Sequence, residues 1–286
     1  MGYPSIFKMT NYLSQYHEIT GQVDGCSKLT GGFINEVFYI RSKKGNFVLK
    51  YNKNANTDMF HYEKLGLNQL KKAKVPVPQI LGCNGSSILL EFLPVNAKVS
   101  INDYERAGQH LAKLHSVSSD HFGLSYNNYI GHLQQVNEKT KSWINFFWKY
   151  RIENQLQEIK TFISIDDEKI WQKLKNRLPS ILDHDPTPAL IHGDLWRGNI
   201  IWSDGGPQFI DPAIYYSDPM LELAFSELYA SFHPHFLAAY SEIIPLSKKY
   251  SEIKKLYQIV PLLTNANLYK DKIYYLLALH YAKQYC

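Results

Sequence analysis

Residues 192–199 have the sequence His-Gly-Asp-Leu-Trp-Arg-Gly-Asn, and residues 209–212 have the sequence Phe-Ile-Asp-Pro. Three side chains in these segments offer oxygen ligands or a base: Asp194, Asn199 and Asp211. Asp194 and Asn199 are five residues apart, a spacing that one tight loop spans. Short apolar runs on both sides predict strands that hold this loop. The pattern therefore predicts that the three side chains converge.

These three side chains suit phosphoryl transfer. That reaction needs a carboxylate at the acceptor hydroxyl and hard oxygen ligands for a Mg²⁺ ion that bridges the phosphates. Asp194 is the predicted catalytic base, and Asn199 and Asp211 are the predicted metal ligands. A helix cap and a turn would explain Asp194 and Asp211 separately, but would leave their spacing around Asn199 unexplained.

The first third of the chain predicts a small antiparallel sheet with one helix. Runs of β-branched and aromatic residues between turn residues indicate the strands. Thr57 or Asp58 can cap a helix that continues to about Lys74, where the sequence Val75-Pro76 prevents continuation. The predicted strands are residues 34–41, 47–51, 79–82 and 87–92.

The remainder of the chain is predicted to be mainly helical. Asn102 or Asp103 can start one helix, and Asp218 before Pro219 predicts the N-terminus of another. Short strands predicted at residues 189–192, 199–202 and 208–210 interrupt the helices.

The order of elements, strands first and helices afterwards, favours an α+β fold over a doubly wound α/β sheet. With 286 residues, of which 45% are hydrophobic, the chain can bury enough apolar surface for two packed lobes. The sharpest boundary is Leu93-Pro94. It would separate an N-terminal nucleotide-binding lobe of residues 1–93 from a helical lobe of residues 94–286.

Composition argues against several other classes of protein. The 31 basic residues exceed the 26 acidic ones only slightly, so we expect no nucleic acid partner. Cys26, Cys83 and Cys286 are too few and too scattered for a disulfide framework, which favours a reducing, cytoplasmic environment. Apolar runs fall short of the ~18 residues of a membrane span, so we expect no membrane association. The sequence does not indicate an oligomeric state.

The loop resembles the catalytic loop of the protein-kinase-like superfamily, in the His-Gly-Asp form of aminoglycoside and choline kinases, and Asp211 resembles its metal aspartate. Trp196, two residues after Asp194, makes the chain similar to the fructosamine (ketosamine) kinases, and further matches such as Tyr129-Ile130-Gly131 extend over nearly the whole chain. The resemblance implies a bilobal kinase fold with ATP and Mg²⁺ as cofactors. It implies phosphorylation of a small glycated amine or glycated protein at a sugar 3-hydroxyl, which frees the amine.

The resemblance also implies roles for residues outside the loop. Lys50 would hold the α- and β-phosphates, and Glu63 would orient its ammonium group. Gly31 and Gly32 would let backbone N–H groups approach the phosphate oxygens. The backbone of Glu91 and Leu93, between the lobes, would contact adenine.

Trp196, Arg197 and Tyr129 are the predicted substrate contacts. Trp196 can either pack the loop or stack on the sugar, and the role of Arg197 is similarly open. His192 is predicted to brace the loop through hydrogen bonds rather than to transfer protons. The tyrosines near the C-terminus are predicted to supply core packing area, and they include Tyr274, Tyr275 and Tyr281.

Three alternatives stay open at this point. A kinase of the same fold could act on an aminoglycoside, choline or another hydroxyl compound, although Trp196 and the Tyr129 region argue against it. A non-catalytic nucleotide-binding module is disfavoured because Lys50 and the three loop side chains are all present. A metallophosphoesterase would draw its metal ligands from His192, Asp194, Asn199, Asp211, His233 and His235. His233 and His235 are predicted to sit in a loop that links two helices, which argues against this alternative.

Overall fold

An antiparallel sheet forms the N-terminal part of the computed structural model, which describes residues 13–29, 35–53, 58–96, 98–229 and 232–286. Within these ranges the strands of the sheet are β1 (Val23–Lys28), β2 (Glu36–Ser42), β3 (Gly45–Tyr51), β4 (Ile80–Cys83) and β5 (Ser87–Glu91). They pair in the order β1-β2-β3-β5-β4. The predicted hairpin is confirmed, because a two-residue turn joins β2 to β3 and Ser42 pairs with Gly45.

Two helices accompany the sheet in the described residues, α1 (His17–Thr20) before β1 and α2 (Met59–Lys72) between β3 and β4. α2 buries Phe60 and Leu70, which lie at helical spacing. Asp58 occupies the N-cap position of α2. Its carboxylate accepts a hydrogen bond from the Tyr129 hydroxyl at 2.9 Å and so ties the start of α2 to a later segment. Thr57, the other predicted cap, lies outside the described residues.

Helices make up most of the chain after Leu93-Pro94. The α-helices described are α3 (Ile101–His115), α4 (Trp143–Phe146), α5 (Asn154–Glu158), α6 (Ile165–Ile181), α7 (Pro219–Ser226), α8 (Pro234–Ile243), α9 (Tyr250–Tyr269) and α10 (Lys272–Lys283), and short 3-10 helices span Lys160–Phe162 and Arg197–Asn199. A π-helix, Phe147–Glu153, joins α4 to α5. Across the described ranges, no helix has both the length and the apolar character needed to cross a lipid bilayer.

The N-terminus of α3 corrects one prediction. Ser100, rather than Asn102 or Asp103, is the N-cap: its hydroxyl accepts a hydrogen bond from the Asp103 N–H at 3.2 Å, and the Asp103 carboxylate accepts one from the Ser100 N–H at 2.9 Å. This capping box pairs two backbone donors that the helix itself leaves unpaired. The other predicted N-terminus is confirmed, because Asp218 caps α7 and Pro219 is its first residue.

Short two-stranded ribbons lie among the helices of the described chain: β6 (Asn128–Ile130) with β7 (Leu133–Gln135), β8 (Ala189–Ile191) with β11 (Tyr215–Ser217), and β9 (Ile200–Ser203) with β10 (Gly206–Phe209). β8, β9 and β10 correspond to predicted strands, whereas β6, β7 and β11 were not predicted. β8 leads into the loop of residues 192–199 and β9 leads out of it. The two ribbons therefore fix both ends of this loop.

The sheet and the helices are joined by apolar packing and backbone hydrogen bonds. Leu70 and Val75, from the N-terminal part, belong to the large apolar cluster that fills the helical part. The Phe209 N–H donates to the Pro76 carbonyl at 2.8 Å, and Val95 bridges to Ser203. These contacts hold α2 and the sheet against the ribbons that carry the loop. The lobe boundary at Leu93-Pro94 stays a prediction.

Candidate active site

A cleft of about 570 Å³ lies where the sheet, α2, β6 and the loop of residues 192–199 meet the ends of α9 and α10. The predicted site residues that line it are Lys50, Glu63, Tyr129, Asp194, Trp196, Asn199 and Asp211. Arg197 is exposed and, with Glu91 and Leu93, is not among the lining residues found in the described part of the chain. Gly31 and Gly32 lie outside the described residues.

Lys50 is held in the cleft by two carboxylates. It is the sixth residue of β3, and its side chain is nearly buried, with 6% exposure for the residue. Its ammonium donates to Glu63 Oε1 at 2.7 Å and also forms an ion pair with Asp211. Because a buried ammonium is costly unless it is paired, these acids fix where the charge sits. The predicted pairing of Lys50 with Glu63 is therefore present.

Asp194 and Asn199 are joined across the loop. The Asn199 side-chain amide donates to the Asp194 backbone carbonyl at 2.8 Å and to the Asp194 carboxylate at 3.0 Å. These bonds use the amide nitrogen and leave the Asn199 Oδ1 atom as the group that can bind a cation. Burial raises the pKa of Asp194 to about 8, and the hydrogen bond from Asn199 opposes this shift. A cation bound nearby would favour the ionised carboxylate.

Asp211 reaches the cleft through an unusual backbone conformation. Its φ is +58°, in the left-handed region that residues other than glycine rarely adopt. Two backbone hydrogen bonds flank it, from Ile210 N–H to the Asn199 carbonyl at 3.0 Å and from Ala213 N–H to the His192 carbonyl at 2.8 Å. The same bonds bring the Asp211 segment against the loop. Such local strain, held by surrounding structure, is typical of functional sites.

The residues present fit a Mg²⁺ ion. Asn199 Oδ1 and the Asp211 carboxylate are hard oxygen donors on adjoining segments that line one cleft. Mg²⁺ in nucleotide sites commonly takes one or two protein oxygens and completes its shell with phosphate oxygens and water. A set of three or more His, Cys, Asp or Glu side chains arranged around a metal site is absent from the described residues.

His192 contacts the backbone through both ring nitrogens. Nδ1 accepts a hydrogen bond from the Asp194 N–H at 3.3 Å, and Nε2 donates to the Ile210 carbonyl at 2.9 Å. The ring therefore links the loop to the Asp211 segment, which matches the predicted bracing role. It has no nitrogen left to bind a metal.

The other two histidines of the metallophosphoesterase alternative lie elsewhere. The predicted loop between helices is confirmed for His233, which ends the segment before α8 as its N-cap, and is wrong for His235, which lies in the first turn of α8. His235 pairs with Glu105 at 2.9 Å, and the His233 ring stacks on Tyr104. Both side chains are committed to helix contacts, and neither lines the cleft.

Glu222 is a site residue to which the sequence analysis gave no role. It is 1% exposed. Its carboxylate accepts hydrogen bonds from the His192 N–H at 2.8 Å and the Gly193 N–H at 2.6 Å. His115 Nε2 lies 2.9 Å from the same carboxylate, and His115 Nδ1 lies 2.9 Å from the Tyr240 hydroxyl. A single acid in the otherwise apolar sequence Pro-Met-Leu-Glu-Leu-Ala-Phe is the signal that could have identified it.

Gly193 occupies a position that only glycine fits. Its φ is +84°, and a Cβ atom there would lie 2.0 Å from the Ala213 carbonyl oxygen. The same close approach brings the loop against the residues after Asp211. Gly193 thus lets β8 turn directly into the loop.

The position of Trp196 is compatible with both predicted roles, packing of the loop and contact with the substrate. A Cβ atom added at Gly198 would lie 2.2 Å from the indole ring, so the ring packs against its own loop. The residue also keeps 39% of its surface exposed and lines the cleft. One part of the indole therefore stabilises the loop while another is available to a ligand.

Glu91 and Leu93 stay predicted adenine contacts. Glu91 ends β5, and its N–H donates to the Gln79 carbonyl at 3.0 Å. Its carboxylate accepts a hydrogen bond from the Gln79 N–H at 2.7 Å. Because the Glu91 N–H is used within the sheet, a nucleotide contact here would need the Glu91 carbonyl or the Leu93 backbone.

A family model described as fructosamine kinase matches residues 6–283 of the chain. The chain belongs to the fructosamine kinase family. A curated relative, a probable ketoamine kinase of Vibrio parahaemolyticus, is 33% identical over 88% of this chain and 88% of its own length. The predicted family and its class, a phosphotransferase acting on a hydroxyl group, are confirmed.

Solved structures agree with this assignment. A proposed fructosamine-3-kinase from Haemophilus somnus 129PT superposes with a TM-score of 0.85 and 29% identity, covering 97% of this chain and 96% of that one. An aminoglycoside phosphotransferase solved with ADP and hygromycin B superposes with a TM-score of 0.64 at 14% identity, covering 95% and 96% of the two chains, and shows the fold alone. The predicted α+β, protein-kinase-like bilobal fold is confirmed.

Proposed function

We propose that this member of the fructosamine kinase family transfers the γ-phosphoryl group of ATP to the 3-hydroxyl of a ketosamine, a sugar joined to an amine by glycation. The observation that carries the proposal is the convergence of Asp194, Asn199, Asp211 and the Lys50–Glu63 pair in one cleft. The resulting phosphate ester would destabilise the adduct and release the amine. The implied role is repair of glycated amines in the cytoplasm.

The proposed roles follow from the contacts of each side chain. Lys50, oriented by Glu63, holds the α- and β-phosphates as a fixed point charge. Asp194 accepts the proton of the attacking hydroxyl. Asn199 and Asp211 would hold Mg²⁺, which neutralises phosphate charge when it is bound. Gly31, Gly32, Glu91 and Leu93 are proposed to hold the remainder of the nucleotide, and Trp196, Arg197 and Tyr129 to contact the sugar side.

A substrate panel tests the activity. We expect the purified protein with Mg·ATP to produce ADP in the presence of fructosyl-, ribulosyl- or erythrulosyl-amines, and the product to carry phosphate at carbon 3 by NMR. Aminoglycosides and choline serve as comparison acceptors. ADP formation with those compounds alone would overturn the ketosamine assignment and leave a kinase of different specificity.

A further inference from the structure

Three tyrosines form one wall of the cleft, which we call the aromatic wall: Tyr229 after α7, Tyr269 at the end of α9 and Tyr274 at the start of α10. Tyr229 and Tyr269 are each 46% exposed, so their rings are accessible from the cleft that they line. The Tyr269 and Tyr274 ring centroids lie 5.9 Å apart. Desolvation, followed by the neighbouring Tyr274 and Asp194, raises the pKa of Tyr269. Asp194 lines the same cleft as these tyrosines.

Asp271 lies in the turn between α9 and α10, which connects Tyr269 to Tyr274. Lys270 has a φ of +51° and ends α9, and Asp271 then caps α10 by accepting a hydrogen bond from the Ile273 N–H at 2.9 Å. The turn places Tyr269, Asp271 and Tyr274 in the cleft lining within six residues of sequence. The Asp271 side chain caps the helix through one oxygen, while the residue is exposed to solvent at the cleft.

The charge of the cleft is opposite to that of the chain. The whole chain has a formal charge of +5. Among the described lining residues, the carboxylates are those of Glu63, Asp194, Asp211 and Asp271, and the one ammonium or guanidinium group is that of Lys50. Glu63 and Asp211 pair with Lys50, and Asp194 belongs to the loop of residues 192–199. Asp271 has no proposed role in phosphate transfer.

We propose that Tyr229, Tyr269, Tyr274 and Asp271 form an amine subsite, which binds the protonated secondary amine that joins the sugar to its carrier. Ring faces attract an alkylammonium group, and a carboxylate beside them adds a charge partner. This inference rests on the proposed function, since it assigns a place to the amine of the ketosamine. It would let the enzyme distinguish a glycated amine from a neutral sugar with the same 3-hydroxyl.

Two ligands of equal size separate charge recognition from shape. One is N-(1-deoxyfructosyl)propylamine, which is cationic at neutral pH, and the other is 1-O-propyl-fructose, in which a neutral ether replaces the amine. Their affinities are measured by calorimetry without nucleotide and their KM and kcat with Mg·ATP. Wild-type protein should bind the amine more tightly than the ether.

The variant Asp271→Asn removes the charge and keeps the helix cap, because asparagine caps helices as well as aspartate does. It should weaken binding of the amine by about 2- to 5-fold, with kcat little changed and the ether unaffected. Tyr274→Leu should have a similar effect and Tyr274→Phe a smaller one, since phenylalanine keeps the ring face. Asp166→Asn removes another exposed acid, from the first turn of α6, and is the control.

The two hypotheses fail in different ways. Equal affinity of wild-type protein for amine and ether, or unchanged discrimination in both Asp271→Asn and Tyr274→Leu, would overturn the amine subsite even if ketosamines are phosphorylated. Selective binding of the amine that is lost in these variants, without any phosphate transfer, would support the subsite and overturn the proposed kinase activity.

Discussion

Asp194 is the residue whose loss should most directly test the chemistry. Asp194→Asn keeps an oxygen that can accept the hydrogen bond from Asn199 but removes the base. We expect kcat to fall by about 10²- to 10⁴-fold while Mg·ATP still binds, as measured by steady-state kinetics and calorimetry. Asp204→Asn, in the exposed turn between β9 and β10, is the control and should be fully active. Normal turnover by Asp194→Asn would exclude this residue as the base.

Asp211 is a proposed metal ligand and also adopts a left-handed backbone conformation. Two substitutions separate the effects of these two properties. Asn tolerates the left-handed conformation better than Ala does. Asp211→Asn should lose most activity at any Mg²⁺ concentration, because it removes the anionic ligand, and in urea unfolding it should lose only the stability that the ion pair with Lys50 contributes. Asp211→Ala should lose the same activity and an additional ~1 kcal/mol of stability. Equal stabilities for the two variants would show that the φ of +58° carries no measurable strain.

The loop of residues 192–199 depends as an element on the buried carboxylate of Glu222. Gln in its place offers only one acceptor oxygen for the two N–H groups of His192 and Gly193 and leaves a buried donor unpaired, at a cost of about 1–3 kcal/mol. We expect Glu222→Gln to lower kcat more than it changes either KM, because the base is misplaced while the binding groups remain.

Kinetics and urea unfolding of Glu222→Gln, beside Glu242→Gln on the exposed surface of α8, check this expectation. A purely structural role for Glu222 would lower stability and leave kcat per folded molecule unchanged. That result would remove the loop-positioning role.

The elements that the sequence predicted are those with long patterns or strong local signals. The β2–β3 hairpin, α2 and the Asp218-Pro219 start of α7 follow from periodicity, turn residues and capping chemistry. β6, β7 and β11 contain three residues each and lack a run of three aliphatic residues, whereas β8 is equally short and was predicted from the run Ala-Leu-Ile. β1 was also not predicted, because its sequence Val-Asp-Gly-Cys-Ser-Lys has neither an alternation nor an apolar run. The N-cap of α3 was misplaced because Ser100 and Asp103 both belong to residue types that cap helices, and only the structure shows which one does.

Side chains that converge through tertiary packing were the hardest to predict. Tyr275 is fully buried, and Tyr274 and Tyr281 pack partly buried against the same core, which agrees with the predicted packing role. Tyr274 also lines the cleft. The Tyr275 ring lies against Phe162 and Trp171 of α6, whereas the Tyr274 ring lies beside Tyr269 of α9. Sequence spacing does not encode which of the two rings faces the cleft.

Glu222 is similar, since its contacts with His192 and Gly193 join positions about thirty residues apart. Asp194 and Asn199, in contrast, could be predicted from the sequence, because their five-residue spacing within one loop indicates that they lie together.

At the scale of the whole molecule, the nucleotide should act as a bridge between the sheet and the helical part. Lys50 belongs to β3, whereas Asn199 lies just before β9 and Asp211 lies between β10 and β11, so a ligand that binds all three contacts both sides of the cleft. Mg·ATP at 100 times its Kd should raise the free energy of unfolding by about 2.7 kcal/mol, seen as a higher Tm.

EDTA should abolish most of this shift. Lys50→Met, which keeps side-chain length but loses the charge, should reduce it. Because the bridge requires both the metal and the ammonium group, a Tm shift that persists undiminished in EDTA or in Lys50→Met would place the nucleotide elsewhere on the protein.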